Sequence, residues 1–191
     1  MKKILIGTHN QGKFKEIAYL ISARTKKISP IDLKIGSPRE TGKTFSSNSR
    51  LKVNYFSKFV DYPVISDDSG LCIKSLNNKP GIYSARWAKN YGSFFEAMKF
   101  ILKRLKGKKD RRAFFVCSLS YKSTTGKVVT VVGKIYGNIS EKIIGKNGFG
   151  YDPIFIPKVS HLTFGEMSNK KKIKIDHRYI AFKKLKKKIR I

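Results

Sequence analysis

The spacing of apolar residues changes several times along this chain, and each change marks an element. Residues 3–7 form a short apolar run ending in Gly7, polar residues occupy 8–13, and Phe14, Ile17, Ala18 and Ile21 then recur at helical intervals. The opening unit therefore reads as strand, loop, helix. A second helix is expected from near Thr44, a good N-cap residue, with Leu51, Tyr55, Phe56 and Phe59 turned towards a core. Residues 63–66 read as a strand that runs into a turn at Asp67, Asp68, Ser69 and Gly70, after which residues 71–73 resume extended structure. Phe94, Met98, Ile101, Leu102 and Leu105 recur at helical spacing and predict an amphipathic helix whose stripe is core. Residues 113–121 and 128–136 are rich in β-branched and aromatic side chains and flank a Ser-Thr-Thr-Gly turn, which predicts a hairpin. Residues 145–150 form a second glycine-bearing loop leading into 151–155, and a lysine-laden helix is expected from about Arg178.

Composition bounds what these elements can build. A chain of 191 residues with 40% hydrophobic content can bury one core, or two lobes sharing a cleft, and a single domain over 1–191 is the simplest expectation. No apolar run approaches the roughly 20 residues that span a bilayer, and the apolar stretch after Met1 is too short for a signal peptide, so a cytoplasmic protein is expected. Cys72 and Cys117 sit in apolar, strand-like segments without a CxxC pattern and read as reduced core residues. Charge changes the picture most. Forty-two Lys+Arg against 12 Asp+Glu give a formal +30, which ordinarily points to a polyanionic partner. Here the lysines are spread along the whole chain and accompanied by abundant isoleucine and asparagine, the pattern of an AT-rich genome, so a nucleic-acid partner is not expected. Such a field would still steer a triphosphate, and association would weaken with salt.

Three segments carry candidate chemistry. The loop of Thr8, His9, Asn10, Gln11, Gly12 and Lys13 precedes a helix, where backbone N–H groups and the helix dipole favour phosphate. Asp67 and Asp68 are either a plain turn or a carboxylate pair able to hold a divalent cation and activate water, with Lys13 and Lys52 offsetting phosphate charge. Phe149, Gly150, Tyr151 and Asp152 are either an aromatic corner or a base-stacking platform with a carboxylate for the base edge. His177 and Arg178, close after Lys172, are either a solvated helix start or donors to a purine O6 or N7.

Taken together and in order, these segments resemble the inosine/xanthosine triphosphate pyrophosphatases that sanitise the nucleotide pool. The resemblance runs from Lys3 to about Leu185 and rests on residues 8–13 with Glu16, residues 66–71, residues 80–86, residues 148–155, and Glu166, Ser168, Lys172, His177 and Arg178. It implies an α/β fold with a two-lobed mixed sheet, flanking helices and a central nucleotide-binding cleft, and a homodimer. It further implies Mg²⁺-dependent hydrolysis of dITP, ITP and XTP to the monophosphate and pyrophosphate. Asp68 would then accept the proton and bind metal with Asp67 beside it, residues 8–13 and Lys52 would hold the triphosphate, and Ser69 would touch substrate. Phe149 would stack on the purine, Gly150, Tyr151 and Asp152 would shape its pocket, and Lys172, His177 and Arg178 would read the 6-keto group.

The sequence departs from the family pattern at three places. Ser47 stands where the family carries Glu in Thr-Phe-x-Glu-Asn, and this position is expected to face the metal, leaving the site one carboxylate short. Lys170, Lys171 and Ile173 replace two acids and an asparagine around Lys172, and Asp176 replaces a serine. The alternative reading is a degenerate relative, or a basic nucleic-acid-binding protein with little pyrophosphatase activity.

Overall fold

The structure, a computed structural model, describes residues 2–189. In chain order its elements are β1 (Lys3–Ile6), α1 (Gln11–Leu20), β2 (Lys26–Ile28), α2 (Phe45–Phe56), β3 (Val64–Ile73), β4 (Lys79–Pro80) and α3 (Ser84–Asn90). There follow α4 (Phe94–Arg104), β5 (Arg112–Lys122), β6 (Val128–Ile139), β7 (Phe155–Pro157), α5 (Asn169–Lys172) and α6 (His177–Lys186). The strands form one mixed sheet in the order β2-β1-β3-β5-β6-β7, with β4 paired to β3. β1 runs parallel to β2 and β3, with Lys3 opposite Lys26 and Leu5 opposite Val64, while β4 and β7 pair antiparallel with their neighbours.

The chain divides into two compact units. The first comprises residues 2–68, 117–133 and 178–189, the second 69–116 and 134–177. The divisions fall inside β3, β5 and β6 and at the first bond of α6, so both units are woven from the same strands and neither is a consecutive domain. In the first unit, alternation along β1 sends Ile4 and Ile6 to a core with Ile17, Ile65, Leu119, Phe182 and Leu185. Leu5 joins Val53, Phe56 and Val64 in a second cluster. A strand buried on both sides reads as a continuous apolar run, which is how residues 3–7 read. In the second unit Phe115, Phe155 and Phe164 pack ring on ring at 4.7 to 6.2 Å. Ser93 caps α4 by accepting from Glu96 N–H at 3.1 Å, and Lys103 and Arg104 close its last turn, in keeping with the helix dipole.

Three expectations need correction. The segment Asp67, Asp68, Ser69 and Gly70 is not a turn but the middle of β3. Its turn-forming composition is overridden because both carboxylates are buried against cations and amides, as described below. The loop expected over residues 8–13 is shorter, since α1 begins at Gln11 behind the Asn10 cap. Phe59 lies beyond the end of α2. The predicted hairpin and the amphipathic helix at 94–105 are present, and α6 starts one residue before Arg178.

Candidate active site

Two groups of functional side chains emerge, one in each unit. In the first unit the chain leaves β1 at Gly7, where any Cβ would collide with Ser66 Oγ and the Phe56 ring. The bend that follows is tied by side chains. Asn10 N–H donates to Thr8 Oγ1 at 3.2 Å, and Asn10 Oδ1 accepts from Lys13 N–H at 3.0 Å to cap α1. His9 spends its ring on structure: Nε2 donates to Ile35 O at 2.9 Å and Nδ1 meets Ser37 Oγ at 2.6 Å. The cap takes up the Lys13 N–H and leaves those of Gln11 and Gly12 without acceptors inside the helix, and Lys13 projects from that turn.

The carboxylates lie at the division in β3. Asp67 is 0% exposed, and its Oδ2 lies 3.4 Å from Lys13 Nζ and 3.3 Å from Arg178 Nη2. Arg178 Nη1 also donates to Glu16 Oε2 at 2.8 Å. Asp68 accepts from Asn48 Nδ2 at 3.0 Å, and Asn48 Oδ1 is itself fixed by Gly42 N–H at 2.8 Å. Burial raises the proton affinity of Asp68, Lys13 and Lys52 oppose this, Glu40 adds to it, and the carboxyl ends above its ordinary value. For Lys52, burial pulls the amine down, but Asp67, Asp68 and Glu40 together reverse this and hold it above its ordinary value.

Glu40 was not among the expected site residues. It accepts from Lys52 Nζ at 3.0 Å and acts electrostatically on Asp68, although it precedes α2 in an irregular stretch that gave no periodic signal. Ser47 lies in the first turn of α2. Its hydroxyl accepts from Thr44 N–H at 3.0 Å and donates to Thr44 O at 2.8 Å, while Thr44 Oγ1 accepts from Ser47 N–H. This is a capping box, in which Thr-x-x-Glu and Thr-x-x-Ser do the same job, so the departure at Ser47 leaves the helix start intact.

In the second unit Gly148 adopts φ +73°, and a Cβ there would strike the Asp152 carboxylate. That carboxylate accepts from Phe149 N–H at 2.8 Å and from Lys172 Nζ at 2.5 Å, with Asp152 and Lys172 both 2% exposed. The Lys172 ammonium stands 4.7 Å from the centre of the Phe149 ring. Tyr151 donates its hydroxyl to Ser84 O at 2.9 Å, and burial pushes its phenol well above the ordinary value. Its ring meets Phe94 edge to face beside Gly150. His177 stacks on Phe115 at 4.9 Å and 11°. Of this adjacent pair, His177 packs on Phe115, and Arg178 meets both Asp67 and Glu16.

A hard cation fits the first group, whose acids offer only oxygen donors beside lysines placed for phosphate. Among the described residues, no cluster of three or more His, Cys, Asp or Glu forms a complete protein-only metal cage. A hard divalent cation suits such a partial set, since it can complete its shell with water and phosphate oxygens.

The sequence profile of the Ham1 family matches residues 4–188. The dITP/XTP pyrophosphatase of Caulobacter vibrioides is 40% identical over 186 residues, covering 96% of each chain. Among solved structures, the Ham1 protein of Staphylococcus aureus superposes with a TM-score of 0.84 at 36% identity over 97% of both chains. A HAM1 protein from Coxiella burnetii gives 0.86 at 31% identity over 98% of both. By profile, sequence and fold alike, this chain belongs to the Ham1 family.

Proposed function

We propose that this protein hydrolyses non-standard purine nucleoside triphosphates, dITP, ITP and XTP, to the monophosphate and pyrophosphate. The observation that carries the reading is Asp68, buried, raised in proton affinity and flanked by Lys13 and Lys52. A carboxylate so placed takes a proton from water more readily than an exposed one. As Asp68 accepts that proton, the water oxygen bonds to the α-phosphorus, the bond to the bridging oxygen breaks, and pyrophosphate leaves. Lys13, Lys52 and the first-turn N–H groups of α1 offset the charge on the phosphates. Asp67 holds Lys13 and Arg178 in place and stands beside Asp68 as a further oxygen donor, and Glu40 holds Lys52. Mg²⁺, when bound to these carboxylates, would neutralise phosphate charge and polarise the phosphoryl oxygen.

The base is read by the second group. Phe149 supplies the stacking face, Tyr151 and Asp152 fix the pocket wall, and Lys172 and His177 supply donors to O6. Adenine presents an amino group there, and a donor left facing a donor costs about 1–3 kcal/mol, roughly 5- to 150-fold per contact. A homodimer and a cytoplasmic location belong to the same proposal. Among the described residues no helix is long and apolar enough to cross a membrane, and both cysteines are buried. Hydrolysis in ¹⁸O-water tests the bond cleaved: the label should enter dIMP, and label in pyrophosphate would place the attack on the β-phosphorus and sink the mechanism.

A further inference from the structure

We propose that the solvent-facing side of β5 and β6 in the second unit is a binding track for single-stranded nucleic acid, an activity beyond triphosphate hydrolysis. Strand alternation buries Ala113, Phe115, Ile135 and Gly137 and leaves Arg112, Phe114, Lys134 and Tyr136 on the other side. The Phe114 and Tyr136 rings lie 5.7 Å apart, and Tyr136 is 52% exposed. Both the Lys74 and the Lys134 ammonium groups stand over the one Phe114 ring, 5.3 and 5.4 Å from its centre. Like charges gathered at one ring repel each other, and a phosphate between them relieves the repulsion.

The groove at these residues has a volume of about 390 Å³ and is also lined by Lys158. Arg112 is shared with an adjoining depression of about 530 Å³ lined by Lys109 and Asn138. The two depressions share Arg112 and cations line both, which favours a ligand carrying several phosphates in a row over one carrying a single phosphate. Asp110, the one acid among the lining residues, is already bound to Arg112 Nε at 2.8 Å and adds no open negative charge. Exposed aromatic faces for bases, with cations spaced for phosphates, are the two requirements of sequence-tolerant single-strand binding. An acidic peptide would use the cations but leave Tyr136 without a stacking partner.

The test is fluorescence anisotropy with a labelled oligothymidylate of roughly a dozen nucleotides, a length suited to such tracks. Lys74, Lys109, Lys134 and Lys158 as phosphate contacts give an expected slope of log K against log salt of about −3. Tyr136→Ala should weaken oligothymidylate at least ~5-fold, while binding of inorganic polyphosphate stays unchanged. The double variant Lys74→Gln, Lys134→Gln should weaken both ligands and reduce the slope by about 1.4. Lys183→Gln with Lys187→Gln removes the same charge from exposed positions late in the chain and should leave oligothymidylate affinity within twofold. Thermal unfolding of each variant reports the fold independently of any hydrolytic activity. Unaltered oligothymidylate binding in a folded Tyr136→Ala protein overturns the proposal, as does an equal loss in the two lysine double variants, since either means diffuse charge alone. Conversion of a dimer to a monomer by Tyr136→Ala also overturns it, because the face would then belong to a second copy.

Discussion

Replacement of Lys52 by methionine removes the cation that Asp67, Asp68 and Glu40 share. The lysine side chain is 9% exposed and its ammonium bonds Glu40 at 3.0 Å, so the loss is that of a buried partner and not of a surface ion pair. Breaking such a pair costs about 3–5 kcal/mol. The low end applies here, because Lys13 remains beside Asp67 and Glu40 is 32% exposed and can turn to water. A loss of about 3 kcal/mol corresponds to a fall in Tm of roughly 6–12 °C for a chain of this size. The pH dependence has a definite sign. Asp68 already binds its proton more tightly than an unfolded aspartate, mainly through burial, and Lys52 is one of the groups restraining that rise. Without Lys52 the Asp68 value rises further, so the destabilisation is full above the raised value and shrinks as pH falls through it and the carboxyl becomes neutral. The acidic limb of the rate profile should move to higher pH for the same reason. Differential scanning fluorimetry at pH 8 and pH 5, with a pH–rate profile, is the assay. A Tm unchanged at pH 8, or a deficit equal at both pH values, would refute the reasoning.

Three further predictions concern other parts of the protein. Ser47→Glu should lower the magnesium concentration for half-maximal hydrolysis, because one more carboxylate favours the cation, and leave stability within about 0.5 kcal/mol of wild type, because either residue completes the Thr44 capping box; an unmoved or higher midpoint would put this position away from the metal. Gly148→Ala should cost about 1–3 kcal/mol and raise KM for dITP, since φ is +73° there and the new methyl strikes Asp152; thermal unfolding and steady-state kinetics check both. His177→Ala should lower the preference for dITP over dATP, whereas Arg178→Ala should lower kcat for both substrates alike by freeing Asp67 and Glu16; a selective effect of Arg178→Ala on dITP would return it to base reading.

The sequence was most legible where local signals decide. The apolar run of β1, the Thr44 cap, the stripe of α4 and the turn-bounded hairpin all follow from spacing and residue type, and each is found in the structure. It misled where distant groups decide. Asp67 and Asp68 look like turn formers by composition, but Lys13, Asn48 and Arg178 arrive from three other elements to satisfy them inside a strand. Glu40 went unassigned for the same reason: its role depends on Lys52, 12 positions away, in a stretch without periodicity. At Ser47 a local role was also readable, because Thr-x-x-Ser at a helix start is a capping pattern, and the structure forms that box.

The central claim is the hydrolysis of purine triphosphates that carry a 6-keto group. Its most direct test is kcat/KM for dITP, dATP and dGTP with magnesium, reading monophosphate and pyrophosphate together. The account predicts stoichiometric dIMP and pyrophosphate from dITP, with dATP slower by at least ~5-fold and up to ~150-fold for each lost donor contact. Equal rates for dITP and dATP, or release of orthophosphate with a diphosphate product, would contradict it.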